Sequence, residues 1–200
     1  MAALNIQVNN LDAVLKKIDG VQSRFAGAAQ NELNAWANET ATLAKQKVPV
    51  DEGHLRGSIN ANLSNWNAGA TVLTAGVTVA VFYAAYVEFG TKTFAAHYVS
   101  ILPADWQSFA AGFKGKGGGG SFMSFFYKIL KWVQRKGFAA KKTKSGKRSN
   151  SKSSIQEEYD VAYRITLTIM KKGMKAQPFL FPAYVKTVSE LKKNLKNLVK

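Results

Sequence analysis

The sequence predicts an α+β fold, in which a small antiparallel sheet packs against a long N-terminal helix and a C-terminal helix. Apolar residues alternate with polar ones near residues 4–8, 58–63 and 71–81, which is typical of half-buried strands. Apolar residues recur every three or four positions over residues 11–47 and 184–200, which is typical of amphipathic helices. At 200 residues the chain is long enough to bury a core.

The chain begins with a short strand and a long helix. Leu4, Ile6 and Val8 alternate with polar neighbours and predict the strand. The helix starts after Asn10, whose side chain can cap it, and it can be interrupted at Gly20. It ends before residues 48–49, because the residue that precedes a proline resists the helical conformation.

A turn and a hairpin follow the long helix. Residues 49–56 combine proline, acids and glycine in a pattern typical of turns. Strands 58–63 and 71–81 flank a polar loop at 65–69, which predicts an antiparallel hairpin.

The stretch 77–91, VTVAVFYAAYVEFGT, leads from the second hairpin strand into a short helical turn. Tyr83, Tyr86 and Phe89 lie three residues apart, as in a helical or 3₁₀ turn. Glu88 is the one carboxylate within this apolar stretch. The sequence leaves open whether Glu88 pairs with a basic residue such as Arg56 or lies at a subunit boundary.

The second half of the chain predicts a basic insertion followed by a return to the core. A glycine-rich link at 111–120 precedes an amphipathic helix at 121–136, and residues 139–154 are too polar to pack and are predicted to be mobile. A helix at 155–172 ends at Gly173, a rigid aromatic turn covers 177–183, and a final helix covers 184–200. We therefore expect a core domain made of 1–92 and 155–200, with an insertion at 93–154.

The net charge of +16 favours a partner of opposite charge, such as nucleic acid, an anionic surface or an acidic protein. Much of this charge is local, since no acidic residue lies between Asp105 and Glu157. The insertion could be a solvated charged segment, a contact for a nucleic-acid backbone, or a helix on a membrane surface. The candidate contacts for DNA or an acidic surface are Lys131, Arg135, Lys136, Lys141, Lys142, Lys144, Lys147 and Arg148.

Residues for catalysis are not apparent. The absence of cysteine excludes disulfides and thiol catalysis, and the two histidines, His54 and His97, have no metal-ligand spacing. Asp51, Glu52 and His54 fit a solvated turn better than a catalytic set, because nothing supplies a nucleophile with its base. We therefore expect no enzymatic activity, no cofactor and no small-molecule substrate.

Three motifs in a fixed order carry a family resemblance. VPVDEGHLRGSI spans residues 48–59, YAAYVEFGT spans 83–91 and QPFLFPA spans 177–183. This order resembles the tail-component and head–tail joining proteins of tailed bacteriophages, a family related to the tail-completion (minor tail protein Z) group of lambda-like phages.

The resemblance implies a virion structural protein at the phage neck, assembled in the host cytoplasm. It implies a homo-oligomeric ring, expected to be a hexamer, that contacts other neck, connector and tail-tube proteins and surrounds the DNA channel. Contact with DNA would be non-specific, and contact with a membrane is not expected. The alternative is a nucleic-acid-binding protein that acts through its basic insertion. Interface candidates are Asp51, Gly53, Arg56, Tyr83, Tyr86, Glu88, Phe89, Gly90, Pro178, Phe179, Phe181 and Pro182.

Overall fold

A computed structural model of the chain describes residues 3–7, 22–64, 72–114, 121–137 and 152–198. Those ranges contain three strands and eight helices, which confirms the predicted α+β class. In chain order the elements are β1 (Ala3–Gln7), α1 (Gln22–Lys47), α2 (His54–Gly57), β2 (Ile59–Asn62), β3 (Thr74–Val79), α3 (Ala84–Phe89), α4 (Lys92–Ser100), α5 (Ala104–Ala111), α6 (Phe122–Lys136), α7 (Lys152–Lys172) and α8 (Leu180–Asn197).

The chain divides into two compact units. The first combines residues 1–89 with 176–200, and the second contains residues 90–175. The limits expected from the sequence differ from this division because α7 groups with the second unit, where it packs on α6. The ring centroids of Phe126 on α6 and Tyr159 on α7 are 5.8 Å apart.

The sheet of the first unit is antiparallel, with β3 between β1 and β2. Leu4 pairs with Val77 on one side of β3, and Ile59 pairs with Val79 on the other. Ile59, Ala75 and Val77 are buried, as the predicted alternation requires for the strand face that packs on α1.

Helices α1 and α8 enclose the core of this unit. The core cluster consists of Phe25, Ala29, Leu33, Trp36, Ala37, Leu73, Ala75 and Leu191. Trp36 on α1 meets Tyr184 on α8 edge to face, with ring centroids 6.3 Å apart. The buried hydroxyls of Thr40 and Thr187 are 2.7 Å apart, so a hydrogen bond also joins the two helices.

The second unit is helical in its described part. Phe126, Leu130 and Val133 of α6 are buried against Ala162 of α7, which confirms the predicted amphipathic helix. The Ser121 hydroxyl caps α6 by accepting a hydrogen bond from the Ser124 N–H at 3.2 Å. The region 93–106, which the sequence left unassigned, is mostly helical and includes α4 and the start of α5.

Several sequence predictions fall outside the described residues. They concern the start of the long helix and its break at Gly20, the hairpin loop 65–69, most of the glycine-rich link and nearly all of the polar segment 139–154. No helix in the described ranges is both long and apolar enough to cross a membrane.

Candidate functional site

The most distinctive polar arrangement of the first unit is formed by the Glu88 side chain at the end of α3. Glu88 is only 3% exposed. Its Oε2 accepts hydrogen bonds from the N–H groups of Phe179 at 2.8 Å and Leu180 at 2.9 Å. Its Oε1 accepts from the N–H of Phe181 at 2.9 Å. One carboxyl group therefore binds the N-terminus of α8.

The sequence QPFLFPA explains why one carboxyl group is sufficient. The first four N–H groups of a helix have no partner within the helix. In α8 these positions are Phe179, Leu180, Phe181 and Pro182. Glu88 accepts from the first three, and Pro182 has no N–H to satisfy. Glu88 and Pro182 together account for every donor of this helix end.

Burial and hydrogen bonding act on Glu88 in opposite directions. Burial raises the pKa of the Glu88 carboxyl above its usual value, and the three backbone N–H donors oppose this rise only in part. The N-terminal end of a helix also favours a negative charge. Three hydrogen bonds thus hold the Glu88 carboxyl group at a buried position, where its charged form is unfavourable.

This geometry corrects two sequence-based expectations. Residues 180–183 are not a turn before the last helix but its first turn, because Glu88 replaces the missing local cap. Glu88 does not form an ion pair with Arg56, which is exposed, whereas Glu88 is buried against backbone donors. Near Arg56, Glu52 instead approaches His54, with Oε2 and Nε2 3.6 Å apart.

The first motif forms a compact turn at one end of the β2–β3 hairpin. Gly53 precedes α2 with φ of 83°, a left-handed conformation that glycine adopts most readily. Leu55 is buried and anchors the turn, and the Ser58 hydroxyl donates to the Leu55 carbonyl at 2.8 Å. Arg56 and Asp51 stay exposed. The motif therefore presents charged side chains on a fixed backbone.

A second backbone arrangement lies in the second unit, next to the end of α7. The Thr91 N–H donates to the Met174 carbonyl at 2.9 Å, and the Met174 N–H donates to the Thr91 hydroxyl at 2.8 Å. Gly173 has φ of 87°, and a Cβ there would lie 2.2 Å from the Thr91 carbonyl oxygen. Only glycine allows this approach, which fits the predicted helix C-cap.

The interface candidates divide by exposure. Glu88, Phe89, Gly90 and Phe179 are buried inside the chain, so they can affect an interface only through the shape they give to it. Gly53 is half-buried and has no side chain to offer. The candidates with accessible side chains are Asp51, Arg56, Tyr83, Tyr86, Pro178, Phe181 and Pro182. Their role at an interface stays a prediction.

The basic candidates divide by position. Lys131, Arg135 and Lys136 are exposed on α6. Lys141, Lys142, Lys144, Lys147 and Arg148 lie outside the described residues. The apolar face of α6 is covered by α7, which leaves its basic face accessible and argues against insertion of that apolar face into a membrane. Within the described ranges, no cluster of three or more His, Asp or Glu residues could hold a metal ion.

Comparison with known proteins supports the resemblance given by the motifs. Residues 12–90 match the HK97-gp10-like family model, described as "Bacteriophage HK97-gp10, putative tail-component". This segment contains the first motif and nearly all of the second, so the predicted resemblance to bacteriophage tail components is confirmed over this part of the chain. Searches of curated proteins and of solved structures found no match.

The sequence identified the residues of this site but not the contact between them. An acid within an apolar stretch singled out Glu88, and proline within an apolar segment singled out residues 177–183. Their connection was missed because the partners of Glu88 are backbone groups, which no residue pattern identifies. The Thr91–Met174 pair was missed for the same reason, although Gly173 marked its position.

Proposed function

We propose that this protein is a structural component of the phage virion, placed at the neck as a head–tail joining or tail-completion protein. It assembles there into a homo-oligomeric ring of six subunits around the DNA channel and contacts other neck, connector and tail-tube proteins. The role is non-catalytic.

The observation that carries this proposal is the contact between Glu88 and the N-terminus of α8. The Glu88 carboxyl group is 3% exposed and is bound to three backbone N–H groups. It thus holds the second motif against the third and is inaccessible to a substrate. A contact of this kind fixes the shape of the subunit, and a ring closes only when every subunit presents the same surfaces.

Gold-labelled antibodies against the purified chain test this proposal on intact virions of the encoding phage. The expected result is gold at the neck in electron micrographs, with an antibody against the major capsid protein as the control for head labelling. Labelling of the capsid surface or of tail fibres would contradict the proposal.

A second candidate function is non-specific binding of DNA through the basic insertion. The observation that favours it is the exposed set Lys128, Lys131, Arg135 and Lys136 on α6, a helix without any acidic residue. Such a surface neutralises phosphates without reading sequence.

Substitution tests this function better than deletion, because removing α6 would uncover the face of α7 around Ala162. We expect exchange of the four basic residues for glutamine to weaken binding of a labelled DNA duplex. The salt dependence should flatten by about 0.9 in log–log slope per lost phosphate contact. The matched control exchanges four exposed lysines of α8 for glutamine, namely Lys186, Lys192, Lys193 and Lys196. Unchanged affinity in the fourfold variant would exclude α6 as the DNA contact.

A further inference from the structure

Two surfaces of the chain combine exposed apolar side chains with charges of opposite sign. The first, here called the acidic turn, consists of Val50, Asp51, Glu52 and Phe82 in the first unit. The second, here called the tyrosine ridge, consists of Met123, Tyr127, Ile155, Tyr159 and Tyr163 in the second unit.

The acidic turn lies at one end of the β2–β3 hairpin. Ile59 at the start of β2 pairs with Val79 at the end of β3, so the segments before β2 and after β3 leave the sheet at the same end. Phe82 is 76% exposed, the highest value among the large hydrophobic residues of the described ranges. Burial, and to a smaller extent the nearby charge of Glu52, raises the pKa of Tyr83, which follows Phe82 in sequence. The segments that contain Glu52 and Phe82 are therefore close to each other.

The charges of this surface are accessible. The Glu52 side chain is 51% exposed despite its contact with His54. Asp51 is exposed beside it, and Val50 adds a half-exposed apolar side chain. Arg56 is the exposed cation of the adjoining helix α2. Two exposed acids and a phenylalanine that is 76% exposed therefore share this end of the hairpin.

The tyrosine ridge follows from how the rings pack across α6 and α7. The Phe126 ring is buried, and its centroid lies 5.6 Å from Tyr127, 5.8 Å from Tyr159 and 6.5 Å from Tyr163. These three tyrosines remain 40–49% exposed, so each rests one side on Phe126 and presents the other to solvent. Tyrosine is enriched at protein interfaces because it supplies a large contact area at a small cost in conformational entropy.

The helices that carry the ridge have a net positive charge beside it, because the exposed Lys128, Lys131, Lys152 and Arg164 outnumber the exposed Glu157 and Asp160. Lys131 follows Tyr127 by one helical turn, and Lys128 is its next neighbour in sequence. Both side chains are exposed. On α6, Tyr127 and the two lysines thus lie on one helix, whereas Tyr159 and Tyr163 lie on the adjoining helix α7.

We propose that the tyrosine ridge of one copy of this chain binds the acidic turn of a second copy. This inference rests on the proposed ring, for which it names the contacting surfaces. Two copies of a protein with a net charge of +16 repel each other, so they can approach most easily where an acidic surface meets a basic one. The two surfaces are different, so each copy has one of each kind to offer, and such a head-to-tail contact can repeat until a ring closes.

Charge exchange tests this contact in the full chain, with assembly measured by light scattering after size exclusion and by sedimentation velocity. Glu52→Lys and Lys131→Glu should each raise the concentration for half-assembly at least tenfold. The variant with both changes should recover assembly, because the two exchanged charges again have opposite signs and attract each other across the contact. Glu190→Lys and Lys192→Glu make the same charge changes at exposed positions of α8 and should leave assembly unchanged.

Truncation of the apolar side chains gives an independent measurement. Phe82→Ala and Tyr159→Ala should also raise the concentration for half-assembly, whereas Ile101→Ala, at a position 70% exposed, should not. Circular dichroism checks that each variant remains folded. Phe82→Ala and Ile101→Ala should melt close to the wild type, because these side chains are mostly exposed. Tyr159→Ala loses the contact with Phe126 and should melt at a lower temperature while remaining folded.

The outcomes separate this inference from the proposed function. Assembly that persists in every charge and truncation variant, together with neck labelling of the virion, would overturn the contact and leave the neck assignment standing. A wild-type chain that stays monomeric throughout would also overturn it. Loss of duplex DNA binding by Tyr159→Ala with unchanged assembly would assign the ridge to nucleic acid instead.

Discussion

Replacing Glu88 with alanine removes the acceptor of three backbone donors at once. Phe179 and Leu180 are buried, so their N–H groups cannot turn to water, whereas Phe181 is only half-buried and its N–H can be hydrated. A buried donor left unpaired costs about 1–3 kcal/mol, so two of them lower the free energy of unfolding of the first unit by about 4 kcal/mol. For a unit of this size, shorter than the whole chain, that corresponds to a fall of roughly 16 °C in melting temperature.

Hydrogen–deuterium exchange is the appropriate assay because the chain has two compact units and its melting need not be a single transition. In Glu88→Ala we expect faster exchange in α8, above all in its first turns, while α6 and α7 exchange as in the wild type. Thermal melting followed by circular dichroism gives the accompanying change in melting temperature.

Glu32→Ala is the matched control, since it removes a carboxylate that contacts the other end of the same helix. Glu32 Oε2 accepts from the Asn194 side-chain amide at 2.9 Å in a half-buried position, so its loss should cost about 1 kcal/mol or less. Equal effects of Glu88→Ala and Glu32→Ala, or faster exchange in α6 and α7 as well, would refute the reasoning.

Three further predictions concern other groups in the two units. Thr187→Val leaves the buried Thr40 hydroxyl without its partner and should cost about 1–2 kcal/mol, whereas Thr40→Val with Thr187→Val should cost less than the sum of the single changes in a double-mutant cycle by urea unfolding. Gly173→Ala should destabilise the second unit severely, because its Cβ would lie 2.2 Å from a carbonyl oxygen. Gly53→Ala has a similar φ with nothing within 4 Å and should cost only about 1–2 kcal/mol of backbone strain. Equal losses of stability in the two variants would contradict the steric argument. The raised pKa of folded Glu88 implies a stabilising contribution that is fully present below its unfolded pKa and lost as the pH rises through the folded pKa. The stability of the wild type relative to Glu88→Gln should therefore fall as the pH rises above about 4.5, and a difference that grows with pH would show that the N–H donors keep the carboxyl charged.

Hydrophobic periodicity predicted most of the elements because the packed faces follow the periods of helix and strand. The strands near 4–8, 58–63 and 71–81 and the helix at 121–136 lie where the alternation and the three- to four-residue spacing placed them. Helices α4 and α5 were not predicted, since few of their side chains are buried and their sequence carries a weak pattern. Hydrophobic periodicity arises from the burial of one face of an element, so it does not identify helices that bury few side chains.

The start of α8 shows why local signals failed at the candidate site. No Ser, Thr, Asp or Asn precedes Leu180, and Pro182 lies two residues into the helix, so the usual signs of a helix start are absent. The cap is instead supplied by Glu88, about ninety positions earlier in the chain. The sequence indicates this long-range contact only through two features: an acid, Glu88, within an apolar stretch, and a proline, Pro182, within an apolar helix end.

This contact also bears on how much of the chain makes a complete structural unit. The family match ends at residue 90, whereas the donors to Glu88 and the helix that covers Trp36 come from residues after 175. Residues 12–90 alone would lack the three donors to Glu88 and would expose the face of α1 that packs on α8. The segment that matches the family model therefore packs on a helix that lies outside the match, so residues 176–200 belong to the same structural unit.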